Sequence, residues 1–148
     1  MDIASIRKEY KLKSLSEKEV ASDPLDQFGF WFKEAIDAKT LEVNAMVLST
    51  STINGRPSAR VVLLKDFDTQ GFVFFTNYNS QKGTELLENP NASLTFFWPQ
   101  LERQVRIEGI VEKVSETESK EYFNSRPFNN CLCFGLASIV CRSCLKLL

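Results

Sequence analysis

The stretch SARVVLLKDFD, residues 58–68, decides how the chain is read. Four bulky apolar residues, Val61 to Leu64, read as a buried strand, yet two cations, Arg60 and Lys65, bracket them with no acid between. Cations at strand ends commonly reach solvent and discourage edge-to-edge pairing. Side chains five apart on an ideal strand face opposite ways, so Arg60 and Lys65 would need a bulge or strong twist to share a site. The expectation is that they do not share one.

Outward from that stretch the period stays strand-like. NAMVLSTST precedes it across the turn INGRP, and FVFFTN follows it across the turn DTQG, which predicts an antiparallel meander. On the N-terminal side, SDPLDQFGFWFKEAIDAK predicts an amphipathic helix: Asp23 can cap, Pro24 suits the first helical position, and Leu25, Phe28, Trp31, Phe32, Ala35 and Ile36 recur at helical spacing. On the C-terminal side, Ser80 can cap a short helix, QKGTELLEN, with Pro90 beyond it. Two strands follow, ASLTFFWP and RQVRIEGIVEKV, the second alternating Val105, Ile107, Gly109 and Val111 with Gln104, Arg106, Glu108 and Ile110. Ser115 and Glu118 have capping-box spacing for a third helix, ETESKEYFNSR, closed by Pro127.

With 148 residues, 43% of them hydrophobic and 25% charged, the chain has the apolar content for one core, and no repeat or linker divides it. A net charge of −1 gives no general attraction to nucleic acid or anionic membrane, so any anion site must be local. No apolar run approaches the roughly 18–20 residues that span a bilayer, and MDIASIRKEYKLK lacks the apolar core of a secretory signal, so a cytoplasmic protein without membrane contact is expected. Histidine is absent, which removes imidazole bases, His metal sites and Ser-His-Asp or Cys-His nucleophile systems. The four cysteines, Cys131, Cys133, Cys141 and Cys144, have a spacing that four thiolates around zinc could use, but the apolar FGLASIV between the pairs favours free thiols and no metal.

TNYNSQKG brings a strand end, hydroxyl and amide side chains and a helix N-terminus together. Unpaired N–H groups and a partial positive charge there favour phosphate, and Lys82 in the first turn is the wrong sign for the dipole unless an anion sits beside it. Arg60, Thr76, Ser80 and Lys82 can converge on one dianion if their strands are neighbours. Gln104 either points into the space the sheet encloses or faces solvent. Tyr122 and Arg126, four apart on one helical face, either decorate a surface or hold a second phosphate.

Eight segments in register, IRKEY, DPLDQFGFWFKEA, NAMVLST, NGRPSARVVLLKDFD, GFVFFTNYNSQKG, NPNASLTFFW, ERQVRIEG and YFNSRP, resemble the pyridoxine (pyridoxamine) 5'-phosphate oxidase family from about residue 5 to residue 130. The resemblance implies a mainly β fold with flanking helices, an FMN-binding split β-barrel working as a homodimer with flavin at the subunit interface. It implies oxidation of pyridoxamine or pyridoxine 5'-phosphate to pyridoxal 5'-phosphate, with O₂ as electron acceptor and H₂O₂ released. FMN would carry the hydride chemistry while the protein supplies binding and orientation, and no catalytic side chain is assigned. The resemblance implies flavin contacts at Arg60, Val61, Val62, Leu63, Phe75, Thr76, Gln81, Lys82 and Gln104, with Thr76 and Lys82 near the phosphate and Gln104 near the ring. It implies substrate contacts at Lys65, Tyr122 and Arg126, and in the arm at Arg7, Lys8, Glu9 and Tyr10. The strand's two cations then serve two different phosphates.

Three departures stand against the family pattern. Gln81 replaces an Arg, Asn130 replaces a substrate-contacting Ser, and CLCFGLASIVCRSCLKLL after Asn130 replaces a Gln-Ser flavin contact, a further helix, more strands, a Trp and an Arg-Leu-His-Asp-Arg segment. The chain is accordingly divided into an arm (1–22), an incomplete split-barrel domain (23–130) and a divergent Cys-rich tail (131–148) that looks like a shifted reading frame or alternative transcript end. The missing C-terminal strands are expected to leave open sheet edges and an apolar tail. The alternatives to an oxidase are a non-catalytic module binding FMN or a B6 phosphate, and a non-functional truncated product.

Overall fold

The computed structural model describes residues 2–5, 9, 16 and 19–114, together with the backbone of 136–144. The first long element is helix α1, Pro24–Asp37. Asp23 sits at the N-cap in extended conformation and accepts a hydrogen bond from Leu25 N at 2.7 Å, and Pro24 occupies the first turn, as the sequence predicts. The meander follows as β1 (Ala45–Ser51), β2 (Pro57–Asp68) and β3 (Gly71–Asn77). The turn between β1 and β2 closes through Gly55 at φ +79°, a left-handed conformation that glycine adopts without strain. Helix α2 is Gln81–Glu88, with Ser80 Oγ accepting from Gly83 N at 3.3 Å. Gly83 is required there: a Cβ would lie 2.4 Å from the Tyr78 carbonyl oxygen, so the helix could not press against the turn that precedes it. Strands β4 (Asn91–Trp98) and β5 (Arg103–Lys113) are joined by a single 3₁₀ turn, Pro99–Leu101.

These strands, with a sixth, β6 (Leu136–Cys144), form one closed antiparallel barrel in the order β1-β2-β3-β6-β5-β4. Strand β6 corrects the expectation of open edges. It pairs with β3 from Phe72↔Cys141 to Asn77↔Leu136 and with β5 from Glu108↔Cys144 to Lys113↔Ile139. The physical reason is that loss of a family motif is not loss of strand character: LASIVC is an apolar, partly β-branched run. Two unpaired edges on either side of it supply the partners. The expected third helix over 116–126, and Cys131 and Cys133, lie outside the described residues.

The barrel core comes from strand alternation. Met46 and Leu48, Leu64, Phe72 and Phe74, Leu94, Phe96 and Trp98, and Val105, Ile107 and Val111 point inward and are buried. Helix α1 closes one end of this barrel with Phe28. Its ring meets Phe67 and Phe72 edge-on at 4.9 Å each, lies 5.2 Å from Phe96 and 6.2 Å from Trp98, and stacks on Phe32 at 5.6 Å. Trp98 Nε1 donates to Val43 O at 3.0 Å, so the one polar atom of that cluster is satisfied. Helix α2 packs at the opposite end, where β1 finishes and β2 begins. The barrel thus fixes the position of α2 and, with it, the site.

Candidate functional site

The register of β1 and β2 pairs Leu48 with Arg60 and Thr50 with Ser58. Alternation then turns Thr50, Ser58 and Arg60 toward the end of the barrel on which α2 rests. Glu85 projects from α2 into this group and is only 4% exposed. Its carboxylate accepts from Thr50 Oγ1, from Ser58 Oγ at 2.6 and 2.7 Å, from Gln81 Nε2 at 2.8 Å and from Arg60 Nη2 at 3.2 Å. Arg60 Nη1 donates in turn to Thr50 Oγ1, Leu48 O and Ser58 O. A buried acid is tolerable only when paired and hydrogen-bonded, and this one is both.

The acidity of Glu85 follows from the same contacts. The Ser58 hydroxyl, then those of Thr50 and the Gln81 amide, hold its carboxyl down to about 2 from the ordinary 4.5, with Arg60 adding less and burial opposing. A depressed folded-state value means that the ionised network stabilises the fold above about pH 4.5 and that this stabilisation disappears as pH falls toward 2. Urea midpoints of the native chain and of Glu85→Gln, taken across that range, should therefore converge as the pH drops. A gap as wide in acid as at neutrality would show that ionisation of Glu85 contributes nothing.

Of the expected flavin contacts, the structure brings Arg60 and Gln81 together, through Glu85, which the sequence reading missed. Lys82 is half-buried in the first turn of the same helix and makes no ion pair among the described residues. Thr76 is 2% exposed and its Oγ1 finds no hydrogen-bond partner among the described residues. Val62 is half-buried on the inward face, while Val61 and Leu63 point outward at 66% and 41% exposure. Phe75 is half-buried on the face of β3 opposite Phe74 and Thr76. Gln104 is exposed on the outer face beside its strand partner Phe97, which answers the question left open between enclosed space and solvent.

The outer faces of β1, β2 and β4 also expose Val47 and Phe97, and with Val61 and Leu63 they make an apolar face on the barrel wall. Val47 pairs directly with Val61, so the patch is continuous across β1 and β2. Two clefts among the described residues lie elsewhere. One of about 540 Å³ runs along Ser49, Ser51, Ser93 and Glu108, and one of about 330 Å³ lies between Tyr78, Leu86 and Lys113. Neither is lined by a candidate flavin residue.

Of the expected substrate contacts, Lys65 is exposed on a β-bulge, where the register shifts from Leu64↔Phe74 to Asp66↔Val73. A bulge of the kind that could have brought the two cations together is present, but Arg60 turns to Glu85 and Lys65 to solvent, so the two do not share a site, as expected. Glu9 is exposed, and Arg7, Lys8, Tyr10, Tyr122 and Arg126 lie outside the described residues. Among the described residues there is no cluster of three metal-ligating side chains, and no helix is long and apolar enough to cross a membrane.

Comparison with known proteins bears on this arrangement. The chain is 62% identical over 128 residues to a pyridoxine/pyridoxamine 5'-phosphate oxidase of Trichormus variabilis, covering 86% of this chain and 60% of the relative. It is 56% identical over 128 residues to the protein of that name from Cupriavidus metallidurans, with the same coverage. The chain thus spans about 60% of the length of these curated relatives. Among solved structures, PhzG from Burkholderia lata, in complex with tetrahydrophenazine-1-carboxylic acid, superimposes with a TM-score of 0.81 at 22% identity, over 89% of this chain and 83% of that one. A pyridoxamine 5'-phosphate oxidase-related, FMN-binding protein from Nostoc punctiforme does so with a TM-score of 0.66 at 14% identity, over 84% and 82%. These two share the split-barrel fold. Since residues 32–135 match the family described as pyridoxamine 5'-phosphate oxidase, and relatives of that name share more than half of the aligned residues, the chain belongs to the pyridoxamine 5'-phosphate oxidase family.

Proposed function

We propose that this protein is an FMN-dependent oxidase of pyridoxamine and pyridoxine 5'-phosphates that acts as a cytoplasmic homodimer with O₂ as acceptor. The observation that carries the reading is the corner where β3 hands over to α2. There a Ser80-capped helix, the cation Lys82 and the buried hydroxyl of Thr76, both without a partner among the described residues, and the guanidinium of Arg60 belong to adjoining elements. These residues fit a phosphate monoester: backbone donors, two cations and a hydroxyl with no other use.

In this reading Lys82 and the first N–H groups of α2 bind the FMN phosphate, and Arg60 adds a forked donor. Val61, Leu63 and Phe75 offer apolar surface to the ring system, with Gln104 reaching its polar edge. A bound flavin would supply the hydride-accepting and O₂-reducing chemistry, which these residues would hold and orient. Lys65, held out from the strand by its bulge, attracts the substrate phosphate together with Tyr122 and Arg126. A second copy covers the apolar face formed by Val47, Val61, Leu63 and Phe97, which also excludes water from the flavin.

The test uses the purified full chain. FMN should bind and give the visible absorbance of oxidised flavin, and added pyridoxamine 5'-phosphate should release peroxide. Lys82→Ala should weaken FMN by about ten- to hundredfold, the value of a charge-assisted hydrogen bond, and leave riboflavin affinity unchanged. Equal losses for both flavins would remove the phosphate site. A second reading, a module that holds FMN without turnover, is favoured by the charge balance at the corner. Glu85 offsets Arg60 and Gln81 adds no charge, leaving Lys82 as the cation of this corner without an ion pair among the described residues. Flavin bound with no peroxide selects it.

A further inference from the structure

A guanidinium has five N–H donors in a rigid plane, and how they are divided decides what the group can still do. Arg60 commits its Nη1 group to Thr50 Oγ1 and to the carbonyls of Leu48 and Ser58, and one Nη2 donor to Glu85. The Nε–H and the remaining Nη2 donor have no partner among the described residues. These two lie side by side along one edge of the plane, the arrangement that matches two oxygens of a phosphate. The Arg60 side chain is 23% exposed while that of Glu85 is 5% exposed, so the gripped end is buried and the side chain as a whole still reaches the surface.

We propose that Glu85 is a positioning residue for phosphate recognition: it grips the Nη1/Nη2 end of Arg60 and so presents the Nε–Nη2 edge as a forked donor to the FMN phosphate. The inference rests on the FMN reading above and deepens it. Glu85 itself cannot swing, because Ser58, Thr50 and Gln81 hold both of its oxygens. Without that grip the guanidinium would keep only its Nη1 contacts and could pivot about them, so its free edge would have to be ordered at each binding event. The competing idea is a plain counter-ion, whose removal would strengthen the attraction for a dianion. The two ideas predict opposite signs.

The experiment measures FMN and riboflavin affinity by flavin fluorescence for the full-length wild type, Glu85→Gln, Arg60→Met and the double variant. Glu85→Gln should weaken FMN by about tenfold and leave riboflavin unchanged. In the Arg60→Met background the same change should shift FMN affinity by less than about twofold, because a residue acting through Arg60 has nothing left to act on. An equal loss in both backgrounds would make Glu85 merely structural, tighter FMN binding would make it a counter-ion, and unchanged affinity would make it irrelevant; each overturns the proposal. If Glu85→Gln does not fold, Ser58→Ala loosens the same carboxylate while keeping its charge. It should give a loss of about threefold that also vanishes with Arg60→Met, and a loss that persists there has the same overturning force. A wild type that binds FMN while these variants behave otherwise removes this inference alone. A wild type that binds no FMN removes the proposed function, and the inference with it.

Discussion

Replacing Phe28 by Ala should lower the free energy of unfolding by about 3–5 kcal/mol, the range for deleting a fully buried aromatic ring. Phe28 is 0% exposed and touches Phe32, Phe67, Phe72, Phe96 and Trp98, residues drawn from α1 and from three different strands. Those neighbours are held by the barrel and cannot collapse into the space, so a cavity term adds to the lost transfer energy. Against a typical total of about 5–15 kcal/mol, the variant should be near the limit of folding at all. The control lies two residues along the same helix: Phe30 is 62% exposed, and Phe30→Ala should stay within about 0.5 kcal/mol of the native chain. Urea unfolding of both variants measures the contrast. A Phe28→Ala midpoint close to that of Phe30→Ala would mean that α1 is not the plug of the barrel.

That helix was legible because its determinants are local. Asp23, Pro24 and the spacing of Phe28, Phe32 and Ala35 sit within one stretch of chain, and each acts whether or not the rest has folded. The meander was legible for the same reason, since two-residue and Gly-containing turns join strands whose period is their own. Alternation along β5 likewise placed Val105, Ile107 and Val111 inside.

The site was only half legible. Arg60 drew attention because no acid flanks it, yet its acid is Glu85, 25 residues later on a helix at the barrel end. Nothing local connects the two. The clue available in the sequence was an acid on the inward face of a short helix, four residues after Gln81, with no cation in the last turn to answer it. Turning that clue into a contact requires the register of β1 and β2, which sets Thr50 and Ser58 beside the same carboxylate. The bulge at Lys65 is similarly a property of pairing, visible only once β3 is laid against β2.

The strand in the tail was not legible from the family pattern, because closure depends on the two edges it meets rather than on a motif, and from it comes the second large expected effect. Ending the chain after residue 135 should abolish the native fold. Strand β6 bridges β3 and β5 over six residue pairs on each side, and without it both strands expose a row of unpaired N–H and C=O groups beside an opened apolar interior. No single neighbour can close that gap, because β3 and β5 already use their other edges for β2 and β4. The shortened chain should bind a hydrophobic dye, elute as aggregate, and lose amide protection in β3 and β5 first, whereas in the intact chain those amides should exchange only through global unfolding. A shortened chain that stays monodisperse, with β3 and β5 amides protected as before, would show that the barrel closes by another route and that β6 is dispensable.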